Sequence, residues 1–456
     1  MAAIGLENLQ AEVGEVRSRR DIGRVSRIHR GMVEVSGLSA LASQLDLVEI
    51  GPPGQPGRLG EVVALSRESI SVLPDGDAEG LAMGEAVTLL GPGDIAPDDS
   101  WIGRVIDPFG RALDGRAILR GSRPRPLRGT PVNPTMRRVL GPRLETGLAV
   151  FNTLLPIVRG QRIGLFAGSG VGKSTLLAKL ARGVQADVVV IGLIGERSRE
   201  VREFVERVLG PEGMARAVVV AATSDRSPLV RRRCAWTMMA VAEHFRDAGR
   251  HVLLLADSVT RFAEAHREIA LAAGEDGSLR GFPPSTAGQI TGLCERAGPG
   301  TETQGDITAI FSVLVAGSDM DEPVADLMRG VLDGHVVLDR KIAERGRFPA
   351  IDILRSVSRS LPDAASEAEN TLISTARQRL GTYDRSEMMI QAGLYAPGSD
   401  PLLDAAIEAW PKLDAFVAED EWDGVQASFR RLGECLVPRG SEGNGSQDSD
   451  VAGDGP

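Results

Sequence analysis

The residues best suited to do chemistry cluster in AGSGVGKST, residues 167–175, directly after the apolar run Arg162–Ala167. Gly168, Gly170 and Gly172 free the backbone to wrap an anion with its N–H groups turned inward. Lys173, Ser174 and Thr175 open a helical pattern, so the same anion meets a helix N-terminus. In such a phosphate loop the lysine reaches the β- and γ-phosphates of a nucleoside triphosphate, and the serine hydroxyl takes Mg²⁺. The expected cradle is Gly168, Ser169, Gly170, Val171, Gly172, Lys173, Ser174 and Thr175, with Ala167 where the motif usually starts with glycine. A purely structural glycine-rich turn competes with this reading. The strand-before, helix-after context weighs against it.

Two carboxylates stand at the ends of other apolar runs. His251–Asp257, HVLLLAD, ends in Asp257, where a parallel sheet presents its ligands. There Asp257 would orient Mg²⁺ through water, although an isolated aspartate at this place is often only a helix N-cap. The run Asp187–Ile194 leads into Gly195-Glu196-Arg197. A glutamate there can polarise the water that attacks a γ-phosphorus, or it can simply be solvated. Arg197 is open between a functional cation and a surface salt-bridge partner.

The elements that must position these groups follow from pattern. The chain has 456 residues, enough for two to four domains and a large core. Residues 1–22 read as an amphipathic helix with Leu6, Leu9, Val13 and Val16 on one stripe, suited to a partner helix or to its own barrel. Residues 23–92 hold six short β-branched runs (24–29, 32–36, 45–50, 58–65, 69–72 and 85–90), which suggest a β-barrel. In residues 93–363, apolar runs at 162–167, 187–194, 217–222, 251–256 and 307–315 alternate with helical patterns at 173–182, 200–209, 228–248 and 259–273. That alternation predicts an α/β fold with a parallel sheet covered on both faces. Residues 364–437 are helical, with segments at 364–380, 386–392, 401–417 and 424–432, and residues 438–456 read as a disordered tail.

Composition narrows the function. The net charge is −10, which disfavours a general nucleic-acid or membrane-surface binder. Three scattered cysteines and five scattered histidines give neither a disulfide framework nor a metal cluster, and fit a reducing cytoplasm. No apolar run approaches the ~20 residues of a spanning helix.

Taken in order, LFAGSGVGKSTLL, LIGERSREV, TSDRSPL, LLLADSVTRFAEA and PAIDILRSVSRS resemble the ATPase family of the rotary ATP synthases. Within it the chain is most similar to the flagellar and type III secretion export ATPases, through residues 103–115, 166–174, 223–229, 282–285, 294–298 and 320–340. The resemblance runs from about residue 24 to about residue 436. It implies a RecA-like ATPase domain between an N-terminal β-barrel and a C-terminal helical domain. One departure is GQITGL at 288–293, in place of a Leu-Pro-type segment, in what is read as a loop.

The resemblance also assigns roles. Glu196 matches the catalytic glutamate, Arg197 and Arg261 the phosphate-contacting arginines, and Arg359 the arginine finger of a neighbouring subunit. Phe348 matches an aromatic that stacks on adenine, with Tyr395 on the base's other side. Without the resemblance, Phe348 reads as a core residue and Arg359 as a surface cation. The implied cofactors are ATP and Mg²⁺. The implied partners are other copies of the chain in a homohexamer, a stalk-like regulator at the N-terminal helix, a central coiled-coil stalk protein, the membrane export gate, and export chaperones and substrates, with no nucleic acid. The implied location is the cytoplasm, at the periphery of the membrane export apparatus. A synthase catalytic subunit, a virulence-type secretion ATPase and a nucleic-acid translocase on the same core are the competing functions.

Overall fold

A short helix, α1 (Leu6–Gly14), precedes six strands: β1 (Ile22–His29), β2 (Met32–Ser36), β3 (Asp46–Ile50), β4 (Arg58–Leu65), β5 (Ser69–Pro74) and β6 (Ala86–Pro92). The structure is a computed structural model that describes residues 6–14, 19–29, 31–278, 281–315 and 320–437. The six strands close into a barrel in the order β1-β2-β5-β4-β3-β6. Alternation decides its inside: Val33 and Val35 of β2 are buried while Glu34 between them is not. Val25, Val48, Ile50, Val62, Ile70, Val72 and Val87 complete the barrel's own core. Asn8 of α1 donates to the Arg120 carbonyl at 2.9 Å, in the segment that follows the barrel, and Val13 is exposed. Val16 and the expected tail at 438–456 lie outside the described residues.

The next elements are β7 (Arg104–Ile106), α2 (Ala149–Asn152), β8 (Arg162–Ala167), α3 (Lys173–Gly183) and β9 (Val188–Glu196). They are followed by α4 (Ser198–Glu203), α5 (Gly210–Met214), β10 (Ala217–Thr223), α6 (Pro228–Asp247), β11 (Val252–Asp257), α7 (Val259–Ala272) and α8 (Ser285–Glu295). Then come β12 (Gly298–Pro299), β13 (Asp306–Leu314), α9 (Pro323–Val331), β14 (Gly334–Leu338), α10 (Arg340–Glu344) and β15 (Ile351–Ser358). The sheet has nine strands in the order β15-β14-β8-β13-β11-β9-β10-β7, with β12 beside β13. Strands β14 to β7 along this path are parallel; β15 runs back against β14, and the short β12 against β13. Its two faces are both buried, and alternate residues of one strand serve them. Val188 and Val190 of β9 pack with Trp236, Met238 and Phe262. Val189, Ile191 and Leu193 pack with Leu176, Leu180 and the C-terminal helices. Each large side chain buried this way contributes about 1.5–3 kcal/mol.

The C-terminal helices are α11 (Glu367–Gln391), α12 (Pro401–Ala418) and α13 (Val425–Leu436). The expected pair of helices at 364–380 and 386–392 is one continuous helix, because Gly381 and Thr382 do not end it. A capping box at Ser366 and Glu369 sets its start. Residues 288–293 lie inside α8 and not in a loop, with Ile290 and Leu293 buried against the core. The segment at 200–209 begins as α4 at Ser198 and continues as a single π-type turn over Phe204–Leu209. The antiparallel edge β15 and strands β7 and β14 carry too short or too polar a pattern to stand out from the sequence.

Candidate active site: a phosphate loop with three carboxyl-side partners

Strand β8 delivers the phosphate loop. Gly170 and Gly172 have φ of +77° and +84°, the left-handed region that side chains avoid. Gly172 is the N-cap of α3, and no side chain caps it, so the first N–H groups of α3 point into the loop as anion donors. A Cβ on Gly172 would also stand 3.1 Å from Phe348 Cδ1. The ring of Phe348, half exposed, therefore lies along the loop that should hold the phosphates.

Two strand ends converge on Lys173. Its Nζ donates to Asp257 Oδ1 at the end of β11 and lies 3.7 Å from Glu196 Oε1 at the end of β9. Asp257 is buried, and Ser312 Oγ of β13 donates to the same Oδ1 at 2.6 Å. Sheet order explains the meeting: β8, β13, β11 and β9 are consecutive neighbours, all parallel, with their carboxyl ends on one side. Burial pushes the Glu196 carboxyl up to about 7; the Asp257 charge pushes the same way and the Lys173 ammonium opposes it. Gly195, at φ +71°, turns the chain just before Glu196, and a Cβ there would meet the side chains of Arg261 and Arg231 at 3.3–3.5 Å.

The cradle fits a nucleotide and Mg²⁺ by its donor set. Ser174, in the first turn of α3, and the Asp257 carboxylate supply hard oxygen ligands of the kind Mg²⁺ takes in ones and twos beside phosphate. Among the described residues no group of three or more His, Cys, Asp or Glu side chains forms a self-sufficient metal cage.

The arginines are placed differently. Arg197 is exposed and its Nη1 reaches Glu200 at 3.4 Å; Arg261 Nη1 pairs with Glu264 at 2.9 Å. Arg359 follows β15. That strand starts opposite Leu338, which pairs with Ala167, and ends at Ser358 opposite Gly334. The Arg359 N–H binds the Asp333 carbonyl, and Asp333 in turn binds Arg162, at the far end of β8. Its Nη2 donates to the Arg329 carbonyl at 3.1 Å. Arg359 thus lies about a strand length, on the order of 20 Å, from Lys173 of its own chain. Tyr395 makes its hydroxyl bonds within its own segment, to Asp400 O and Asp404 Oδ1, and no ring contact joins it to Phe348 among the described residues. Ser312 does not stand out by pattern. A lone serine within the apolar run DITAIFSVL was its one signal.

Known proteins resemble the chain along nearly its whole length. The nucleotide-binding domain model of the ATP synthase alpha/beta family matches residues 147–358, and the T3SS EscN ATPase C-terminal domain model matches residues 365–431. The chain is 44% identical to the flagellum-specific ATP synthase of Caulobacter vibrioides over 441 residues, 94% of this chain and 99% of that one. It is 45% identical to the type 3 secretion system ATPase of Sinorhizobium fredii over 364 residues, 79% of this chain and 80% of that one. Among solved structures, the assembled ATPase EscN of enteropathogenic E. coli, in complex with its central stalk EscO, superposes with a TM-score of 0.83. That pair is 35% identical, over 91% of this chain and all of that one. The chain is an ATPase of the ATP synthase alpha/beta family and belongs to its branch of flagellum-specific ATP synthases and type III secretion ATPases.

Proposed function

We propose that this ATPase works as a ring of identical subunits that energises or primes protein export through a flagellar type III apparatus. The observation that carries the reading is the separation of Lys173 from Arg359 by the length of the sheet. An arginine finger so placed serves the site of the next copy, and a head-to-tail contact of that kind closes into a ring. The family's number is six.

Lys173 holds the β- and γ-phosphates while the N–H groups of the loop and of α3 bind their oxygens. Ser174 and, through water, Asp257 would hold Mg²⁺, which would supply neutralisation of the charge on the same phosphates. Glu196 aligns the attacking water and takes its proton as the water oxygen bonds to the γ-phosphorus and the bond from that phosphorus to the bridging oxygen breaks, releasing ADP. Arg197 and Arg261, at the end of β9 and the start of α7, are the candidate contacts to the γ-phosphate, and Phe348 carries the adenine. Arg359 of the neighbouring copy stabilises the transition-state charge, a role worth about 10³–10⁵ in rate.

The partners of this reading are a stalk-like regulator at the N-terminal helix, a central coiled-coil stalk, the membrane export gate, and export chaperones with their cargo. The EscN complex with its central stalk supports the second of these. No helix among the described residues is long and apolar enough to cross a membrane, which fits a peripheral place at the export gate. A deletion strain tests the reading. Loss of swimming and of exported filament protein, restored by the wild-type chain and not by Lys173→Ala, is the expected result. Normal swimming with lost secretion of other proteins would transfer the protein to virulence-type export.

A further inference from the structure

Asp257 is held from two sides by groups of different kinds. Its Oδ1 accepts from Lys173 Nζ and, at 2.6 Å, from Ser312 Oγ. The lysine has phosphate to serve; the serine has no second side-chain partner among the described residues and is fully buried in the middle of the sheet. Ser312 stands opposite Leu165 of β8, one step past the pairing of Phe311 with Ala256 of β11. It therefore lies between the strand that carries the loop and the strand that carries Asp257. The backbone there is fixed independently. Thr260, in the first turn of α7, accepts from Leu314 N of β13 at 2.9 Å and donates back to the Leu314 carbonyl at 3.4 Å. Ser258, which caps α7, accepts from Arg261 N at 3.4 Å. The main chain around Asp257 is thus clipped to β13, and only the carboxylate rotamer is left to be set.

We propose that Ser312 is a positioning residue that sets the Asp257 carboxylate, so that its second oxygen faces the Mg²⁺ of the bound nucleotide. When Lys173 turns to the phosphates, the serine is the partner that stays. A hydroxyl is the right group for this place. It donates to the carboxylate without adding a charge, whereas a cation would neutralise the very group that must attract the metal. An alanine there would leave a buried carboxylate oxygen short of a donor and free to turn.

The inference rests on the reading of Asp257 as the metal-side carboxylate, and the test separates the two. Mn²⁺ replaces Mg²⁺, and its binding to the full-length protein with ADP is followed by electron paramagnetic resonance. Metal-free ADP binding is titrated in parallel. Ser312→Ala is expected to weaken Mn²⁺ by about 10- to 100-fold, the range for removal of an outer partner of a metal ligand. Metal-free ADP affinity should stay within about twofold, and Ser312→Thr, which keeps the hydroxyl, should recover most of the metal affinity. If Ser312→Ala does not fold, Ser312→Cys carries the same comparison, since its thiol is a much weaker donor. Wild-type Mn²⁺ affinity without the hydroxyl overturns the proposal, as does an equal loss of metal-free ADP binding. Asp257→Asn decides which statement has failed. If it too leaves Mn²⁺ untouched, the reading of Asp257 is wrong; if it weakens Mn²⁺ while Ser312→Ala does not, only the role of Ser312 falls.

Discussion

Glu196 shows how one residue acquires a reactivity its type does not give it. An exposed glutamate ionises near 4.3, but burial and the nearby Asp257 charge push this carboxyl up to about 7. Its acid form, which cannot take a proton from water, then dominates below that value. The rate is expected to climb about tenfold per pH unit below 7 and to level off above it. Glu196→Gln should still bind ATP, turn over about 10²–10⁴ more slowly, and lose this pH limb. Pre-steady-state ATP hydrolysis across pH 5–9 checks both; a limb that persists in the glutamine variant would assign it to another group. The buried thiols carry the opposite lesson. Burial pushes Cys294 up to about 12 and Cys234 higher still, so neither reacts as a thiolate at neutral pH.

At the scale of elements, close backbone approaches fix where the catalytic groups meet. The helix that carries Lys173 ends at Gly183, where a Cβ would stand 2.0 Å from the Thr146 carbonyl oxygen, a backbone atom that cannot turn aside. Gly183→Ala must push α3 away from the segment before α2. The expected cost is about 1–3 kcal/mol, seen as a lower thermal midpoint, with weaker nucleotide binding as the loop moves with its helix. Gly170→Ala makes the contrast, because nothing stands within 4 Å of its Cβ and only the left-handed backbone opposes it. If Gly183→Ala melts like the wild type, steric approach at Gly183 is not what seats the helix. Strand β15 acts at the same scale. By running antiparallel to β14 it carries the chain from Phe348 at the loop to Arg359 at the opposite rim.

At the scale of the molecule, long-range contacts join what the chain keeps apart. The barrel meets the ATPase core at the Asp75 contacts with Ser227 and Arg226, and through Glu61 of β4 and Arg232 of α6, both buried and bonded to each other. Glu61→Ala strands the Arg232 charge in the interior and should cost about 3–5 kcal/mol. Glu34→Ala, which breaks the exposed pair with Arg27, should cost about 0–1 kcal/mol. Differential scanning calorimetry of the two variants makes the comparison, and equal melting would mean that the interface does not depend on this pair. The second joint, in the ring proposed above, would be between copies. Arg359→Ala and Lys173→Ala should each be inactive alone, yet regain part of the activity when mixed. A mixed ring contains interfaces with an intact lysine on one side and an intact arginine on the other. No recovery on mixing, or a rate per subunit that is constant on dilution, would place the arginine's action within one chain.

The phosphate loop, the strands that end in Glu196 and Asp257, the six barrel strands and the alternation of helices with a two-faced sheet were all legible in the sequence. Each is set by local chemistry: glycines where the backbone must bend, a charge at the end of an apolar run, a period of two or of 3.6. The role of Ser312 was not legible, because a serine in an apolar strand carries no pattern until the sheet order brings it beside Asp257. Nor was the loop-side position of the Phe348 ring, which depends on a contact across 176 residues with Gly172. Helix α11 ran on through Gly381 because packing on α12 and β15 outweighs the roughly 1 kcal/mol that one glycine costs a helix. The turn-back of β15 likewise needed its partner strand to be seen. Sequence determines what each segment can do alone. Strand order and direction decide which groups share a site, because they are set by pairings between residues far apart in the chain.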